Sequence, residues 1–266
     1  MNLYKKTFND LKRKKQGALV AFTVIGDPNY NASLQIIKKI IDSGVDILEL
    51  GLPFSDPIAD GKTIQAADMR ALKAGINTDK AFSIIKEVRK YNLKIPIGLL
   101  VYGNMIYQRG ISKFYSDAKK SGVDSVLVAD VPIEESNECI RAAKNSKIDT
   151  VFIVSPLTSN NRIKEIVNKT TGFVYAVSRL GVTGVRATLQ DSTLELIRRI
   201  RKYTKKPLCV GFGISKPEHV RAVIKAGSDG AIVGSAVVDL IEKNASNKNT
   251  MLGKIENYIK SLKKET

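Results

Sequence analysis

Residues 46–61 read DILELGLPFSDPIADG, and the fold turns on how this stretch is read. From Asp46 to Gly51 the residues alternate. Ile47, Glu49 and Gly51 share one face of an extended chain, and Leu48 and Leu50 take the other. If the leucines face outer helices, Glu49 points into a barrel or cleft with apolar walls. A carboxylate is costly there unless it is partnered or used. Pro53 and Pro57 then break the strand, and a stiff loop runs on to Asp60-Gly61. One carboxylate therefore stands on a rigid strand end and a second on the loop that follows, as an acid/base pair in two environments requires. The plainer reading is a structural strand Glu and a loop-capping Asp, which is the usual reading of either residue alone.

Outward from this stretch, the same unit repeats. A short amphipathic helix is predicted over 2–14, with Tyr4, Phe8 and Leu11 on one face. Strands are predicted at 18–24, 46–51, 97–102, 125–129, 149–154, 173–177, 207–211 and 230–233. Helices are predicted at 31–43 (opened by Asn31, closed by Gly44), 62–74, 78–91, 111–121, 134–145, 160–168, 191–203, 217–226, 236–243 and 249–263. Eight strands, each followed by a helix with no Pro/Gly/Ser linker between units, imply one parallel sheet. This is the size of a single (β/α)8 barrel domain over 1–266, a TIM barrel with an extra N-terminal helix and a short extra helix after strand 8. A doubly wound open sheet is the alternative. Against a dinucleotide site, Gly211-Phe212-Gly213 lacks a third glycine at the required place.

Composition narrows the function class. Of 266 residues, 43% are hydrophobic, enough for a large core. The formal net charge of +17 raises the question of nucleic acid. However, the lysines are spread along the chain, the densest run being Lys12-Arg13-Lys14-Lys15, and no aromatic-interleaved patch or zinc-finger pattern occurs. The charge reads as solvated surface that helps attract an anionic substrate, not as a nucleic-acid footprint. Cys139 and Cys209 read as buried free thiols in a reducing compartment. A polar N-terminus without a signal-peptide core, and no apolar run of membrane-spanning length, predict a cytoplasmic protein with no membrane role.

In a barrel, function gathers at the C-terminal ends of the strands. After strand 7 comes GFGIS (211–215), and after strand 8 comes Gly234-Ser235 before the short extra helix. Barrels often bind phosphate between these two loops, on backbone N–H groups that glycine lets approach closely. Gly213, Gly234 and Ser235 are the candidate phosphate residues; tight turns alone would also explain the glycines. The loop after strand 6 reads SRLGVTG (178–184), the length of a lid, with Gly181 and Gly184 as hinges or phosphate donors. Phe22, Leu100, Leu127, Tyr175 and Phe212 gather near strand ends as an apolar pocket for a flat substrate moiety, although single residues of this kind are usually core. His219, the only histidine, reads as a surface or capping residue. No His/Cys/carboxylate cluster suggests a catalytic metal, and no inward-facing strand lysine suggests a Schiff base. Carboxylate proton transfer on a phosphorylated small molecule, with no cofactor, is the remaining chemistry.

LELGLPFSDPIADGKTIQ, with IPIGLLVYGN, GVDSVLVADVPIEES, SRLGVTG, GFGIS and GSAVV in that order, closely resembles the tryptophan synthase alpha-subunit family from about Phe8 to Leu262. The resemblance implies a lyase of L-tryptophan biosynthesis. It would cleave indole-3-glycerol phosphate reversibly to indole and glyceraldehyde 3-phosphate, passing indole to a beta subunit in an alpha2-beta2 heterotetramer. On that resemblance Glu49 is the proton-transfer residue and Asp60 partners the indole N–H. Gly184, Gly213, Gly234 and Ser235 hold phosphate, while Phe22, Leu100, Tyr175 and Phe212 line the indole pocket. Thr183 closes near Asp60, and Pro53, Asp56 and Asn104 face the beta subunit. Val185 and Gln190 depart from the family pattern in the lid. The alternatives are another phosphate-binding barrel lyase or isomerase, which the 46–61 stretch disfavours, and a non-catalytic regulatory subunit, which would need neither carboxylate.

Overall fold

The structure, a computed structural model, describes residues 2–177, 191–211 and 213–266. In chain order its elements are α1 (Leu3–Arg13), β1 (Ala18–Val24), α2 (Tyr30–Asp42), β2 (Ile47–Gly51), α3 (Lys62–Lys73), α4 (Thr78–Tyr91), β3 (Ile97–Val101), α5 (Gly103–Arg109), α6 (Ile111–Ser121), β4 (Ser125–Val128) and α7 (Asn137–Asn145). They continue as β5 (Asp149–Thr150), β6 (Phe152–Val154), α8 (Asn160–Lys169), β7 (Val174–Val177), α9 (Asp191–Arg201), β8 (Leu208–Gly211), α10 (Pro217–Lys225), β9 (Gly230–Val233), α11 (Ser235–Asn244) and α12 (Lys248–Lys263).

The sheet is parallel, in the order β5-β4-β3-β2-β1-β9-β8-β7-β6. Its two end strands, β5 and β6, are parted in the chain by Val151 alone. They are the halves of the strand expected over 149–154: β5 pairs with β4, and β6 pairs with β7. The Val151 N–H still reaches the Val126 carbonyl at 3.2 Å. The sheet thus closes on itself as the predicted (β/α)8 barrel, with its fifth strand in two pieces.

Strand alternation sorts the apolar residues into two cores. Ala18, Val20, Ile47, Leu127, Tyr175, Cys209 and Ile232 point inward as one cluster. Their neighbours Leu19, Ala21, Leu48, Leu50, Val126, Val174 and Val210 pack outward against the helices. Each fully buried Leu, Ile or Val stabilises the fold by about 1.5–3 kcal/mol relative to exposure. Tyr4, Phe8 and Leu11 of α1 join the inner cluster. The Tyr4 ring lies 5.7 Å from Phe173, its hydroxyl is 2.8 Å from Ser125 Oγ, and Asn2 Nδ2 donates to Asp149 at 2.6 Å. Ser125 and Asp149 open strands and Phe173 directly precedes one, so α1 stoppers the barrel at the end opposite the mouth.

Local chemistry explains where other expectations shift. Asn29, not Asn31, caps α2, accepting from the Ala32 N–H at 3.0 Å. The short helix α5 was not expected; it is pinned at its start by Asp130, which accepts from the Gly103 N–H at 2.7 Å. His219 is buried, not on the surface, because it shares the inward stripe of α10 with Val220 and Val223. Its Nδ1 accepts from the Ser215 N–H at 3.3 Å, a capping contact of the expected kind. Both cysteines are buried free thiols. No described helix is long and apolar enough to cross a membrane.

All twelve described helices carry Lys or Arg in the last turn, where a cation complements the helix dipole. Helices that lead directly into a parallel strand must end where the strands begin. Their cations therefore stand at the closed end of the barrel, and this share of the positive charge does not line the mouth.

Candidate active site

Glu49 sits in β2 with Phe22 of β1 and Gly98 of β3 directly beside it in register. It points inward, as the alternation of 46–51 requires, and is 4% exposed. Its Oε2 atom is buried and has no hydrogen-bond partner among the described residues. Burial foremost, and then the negative charge of Asp60, push the Glu49 carboxyl up to about 8. At neutral pH this side chain holds a proton and is poised to give it away.

Asp60 ends the proline-stiffened loop and is 8% exposed. The Tyr102 hydroxyl, just past β3, donates to Asp60 Oδ2 at 2.6 Å and accepts from the Ala59 N–H at 3.2 Å. From α3, Gln65 Nε2 donates to the Asp60 carbonyl at 2.7 Å. Burial raises the Asp60 carboxyl, and the bond from Tyr102 opposes that rise. The two carboxylates thus differ as the loop and strand positions suggested. Glu49 has a buried oxygen, Oε2, with no partner among the described residues, and Asp60 is held by a phenol.

The pocket residues surround them. Phe22, Leu127 and Tyr175 are buried and Leu100 is half-buried. Leu100 and Leu127 are register partners on adjacent strands. The barrel interior makes room for the two aromatic rings with glycine. A Cβ on Gly51 would lie 2.8 Å from the Phe22 ring, and one on Gly211 would lie 2.4 Å from the Tyr175 hydroxyl. Gly211→Ala is therefore expected to drive the phenol out of place, costing about 1–3 kcal/mol of stability by overpacking. Urea unfolding measures this, and a variant as stable as wild type would show that the ring has other room.

Gly213 takes a left-handed φ of 80°, which favours glycine, and Gly234-Ser235 opens α11. Phe212, Gly181, Thr183, Gly184, Val185 and Gln190 lie outside the described residues. Asp56 and Asn104 are exposed, Asn104 being in the first turn of α5, and they share that side of the mouth with exposed Ile58 and Tyr107. Pro53 is buried, so it stiffens the loop from beneath instead of standing on the surface. Among the described residues, no group of three or more His, Cys, Asp or Glu could hold a metal ion.

Two further residues of this neighbourhood are not among the candidates that the sequence offers. Tyr102 falls at the end of a predicted strand. Asp68 falls within a predicted helix, yet it is 3% exposed. A signal for Asp68 was present: it occupies the buried stripe of α3 with Ile64, Ala67 and Ala71. A carboxylate on an apolar helical face requires a partner.

The sequence pattern of the family described as tryptophan synthase alpha chain matches residues 8–266. The tryptophan synthase alpha chain of Methanothermobacter thermautotrophicus is 47% identical over 258 residues, covering 97% of this chain and 95% of the relative. That of Methanoregula boonei is 49% identical over 252 residues, covering 95% of each. Among solved structures, one of the Pyrococcus furiosus tryptophan synthase a2b2 complex superimposes with a TM-score of 0.86 at 40% identity, covering 92% of this chain and 97% of that one. With the inward glutamate, the loop aspartate and the closed barrel in place, these matches are decisive: the chain belongs to the tryptophan synthase alpha chain family.

Proposed function

We propose that Glu49 is the proton-transfer residue, and Asp60 the charge-stabilising residue, of the reaction that defines this family. The protein is a carbon–carbon lyase: it cleaves indole-3-glycerol phosphate to indole and glyceraldehyde 3-phosphate. The observation that carries the role of Glu49 is its buried, unpartnered Oε2 on a carboxyl that keeps its proton to about pH 8.

The chemistry follows in balanced steps. Glu49, as the neutral acid, gives its proton to C3 of the indole ring. The ring becomes cationic, and the Asp60 carboxylate accepts a hydrogen bond from the ring N–H, whose positive charge it opposes. The bond from C3 to the glycerol carbon then breaks, and its electrons return to the ring. The hydroxyl on that carbon becomes the aldehyde, and its proton goes to the Glu49 carboxylate, which restores the starting acid. Phe22, Leu100, Leu127, Tyr175 and Phe212 hold the flat ring and exclude water. Backbone N–H groups of Gly184, Gly213, Gly234 and Ser235 hold the phosphate, and Thr183 is the residue that the resemblance gives to the lid. One domain, residues 1–266, carries all of these groups, and the enzyme works in the cytoplasm.

The partner is a tryptophan synthase beta subunit, in an alpha2-beta2 assembly, that receives the indole. Asp56 and Asn104 are the surface it covers; Ile58, two residues from Asp56, and Tyr107, three residues on from Asn104 in α5, are also exposed. The loop bearing Asp56 also bears Asp60, so docking fixes the catalytic aspartate and favours the competent state. Indole release from indole-3-glycerol phosphate is the test, measured with and without a beta subunit. Addition of the subunit should raise the rate, and Asp56→Ala should weaken that activation while leaving the slow basal rate nearly intact. No indole release under either condition would sink the assignment of function, and full activity of the isolated chain would sink the coupling.

A further inference from the structure

We propose that Tyr258 of α12 and His219 of α10 are positioning residues for the phosphate: together they grip both backbone groups of Ser215 and so fix the turn at Gly213 that presents its N–H to the anion. This rests on the phosphate role given to Gly213 above. The Tyr258 hydroxyl donates to the Ser215 carbonyl at 2.9 Å, across 43 residues. The Ser215 N–H donates to His219 Nδ1 at 3.3 Å. Between the turn and this grip lies Ile214, 4% exposed and part of the core against the helices. Gly213 itself takes a φ of 80°. The chain is thus anchored at the two residues that follow the glycine, and the turn has little room to swing.

Both grips come from rigid elements. Tyr258 belongs to α12, a helix seated by buried Met251, Ile255, Ile259 and Leu262. Burial holds the proton on the Tyr258 phenol, so the hydroxyl acts as the donor. His219 stands in the first turn of α10, 2% exposed, beside buried Val220 and Val223. Its own N–H donates to the Lys216 carbonyl at 3.0 Å as the helix opens. An anion site made of backbone N–H groups binds best when those groups are already aimed, because a loop that must be ordered on binding loses affinity. Neither Tyr258 nor His219 needs to touch the phosphate; each acts through Ser215.

The experiment compares Tyr258→Phe, His219→Leu and His219→Asn with wild type. Phenylalanine keeps the ring and loses the donor. Leucine fills the apolar stripe and offers no acceptor. Asparagine branches at Cγ as histidine does and offers Oδ1 in place of Nδ1. Inorganic phosphate is titrated by calorimetry, and indole, which carries no phosphate, is the second probe. Tyr258→Phe and His219→Leu should each weaken phosphate binding about 2–10-fold, the weight of one ordinary hydrogen bond, and His219→Asn should recover most of the loss. Indole affinity should not change. In the indole-release assay, KM for indole-3-glycerol phosphate should rise by a similar factor while kcat stays nearly constant. Wild-type phosphate affinity in Tyr258→Phe and His219→Leu overturns the proposal. A parallel loss of phosphate and indole affinity also overturns it, since that marks general damage. An Asn variant as weak as the Leu variant overturns the part given to His219. Should His219→Leu fail to fold, Tyr258→Phe decides alone. Wild type that binds no phosphate overturns the reading of the site itself, whereas wild type and variants that bind it equally well overturn only the grip on Ser215.

Discussion

Glu49→Gln is expected to slow indole release by about 10²–10⁴-fold, the usual contribution of a general acid/base, in a barrel that still folds. Glutamine fills the same space between Phe22 and Gly98 but has no proton to give to the ring and no base to take one from the hydroxyl. The same substitution should change stability in a pH-dependent way. The Glu49 carboxyl titrates near 8 when folded and at its ordinary 4.5 when unfolded. The folded protein therefore binds the extra proton between these values. The stability this confers is complete below 4.5 and is lost as pH rises through 8. Glutamine is neutral throughout and loses nothing. The variant should match wild type at pH 4 and exceed its stability increasingly up to about pH 8. Chemical unfolding at several pH values checks the linkage, and a stopped assay checks the rate. A folded variant with unchanged turnover would remove Glu49 from the chemistry.

Asp60→Asn should lower kcat by about 10²–10³-fold, the scale of losing one electrostatic stabiliser of a developing charge. KM should move far less, because the charge that Asp60 opposes appears only during reaction. Tyr102 sharpens this expectation. Its hydroxyl donates to Oδ2, so the asparagine oxygen will take that position and turn the amide NH2 toward the substrate. A donor would then meet the ring N–H, which is also a donor. The pH profile gives a second reading. Wild type should lose activity on the acid side at a value above the ordinary aspartate range, since burial raises Asp60 more than Tyr102 lowers it. It should lose activity on the alkaline side near 8, where Glu49 loses its proton. The acid limb should disappear in Asp60→Asn. A variant in which only KM rises would make Asp60 a binding residue.

The two carboxylates were legible in the sequence because their cues are local. Alternation of period two turns Glu49 inward whatever else the chain does, and two prolines force the loop that carries Asp60. The barrel was legible for a similar reason, since eight strand–helix units leave few other closed arrangements. What escaped depends on contacts between distant segments. The bond from Tyr102 to Asp60 joins residues 42 apart, and no pattern around Tyr102 announces it. The break of the fifth strand at Val151 reflects how the ring closes between β4 and β7, which the run 149–154 does not contain. Asp68 lay between the two cases. Its place on the apolar stripe of α3 was visible, but its burial within reach of the Asp60 charge was not.

The stopper helix bears on how the chain is made. Residues 2–13 precede every strand in the chain, yet Tyr4 binds Ser125 across 121 residues and Asn2 binds Asp149 across 147. Phe173, against which Tyr4 and Phe8 pack, is synthesised later still. Helix α1 therefore has no native seat until most of the strands exist, and its exposed stripe of Tyr4, Phe8 and Leu11 must wait through that interval. Contacts of such long sequence separation are slow to form. An element that precedes every strand is thus among the last to be placed, because its seat is built from strands that follow it.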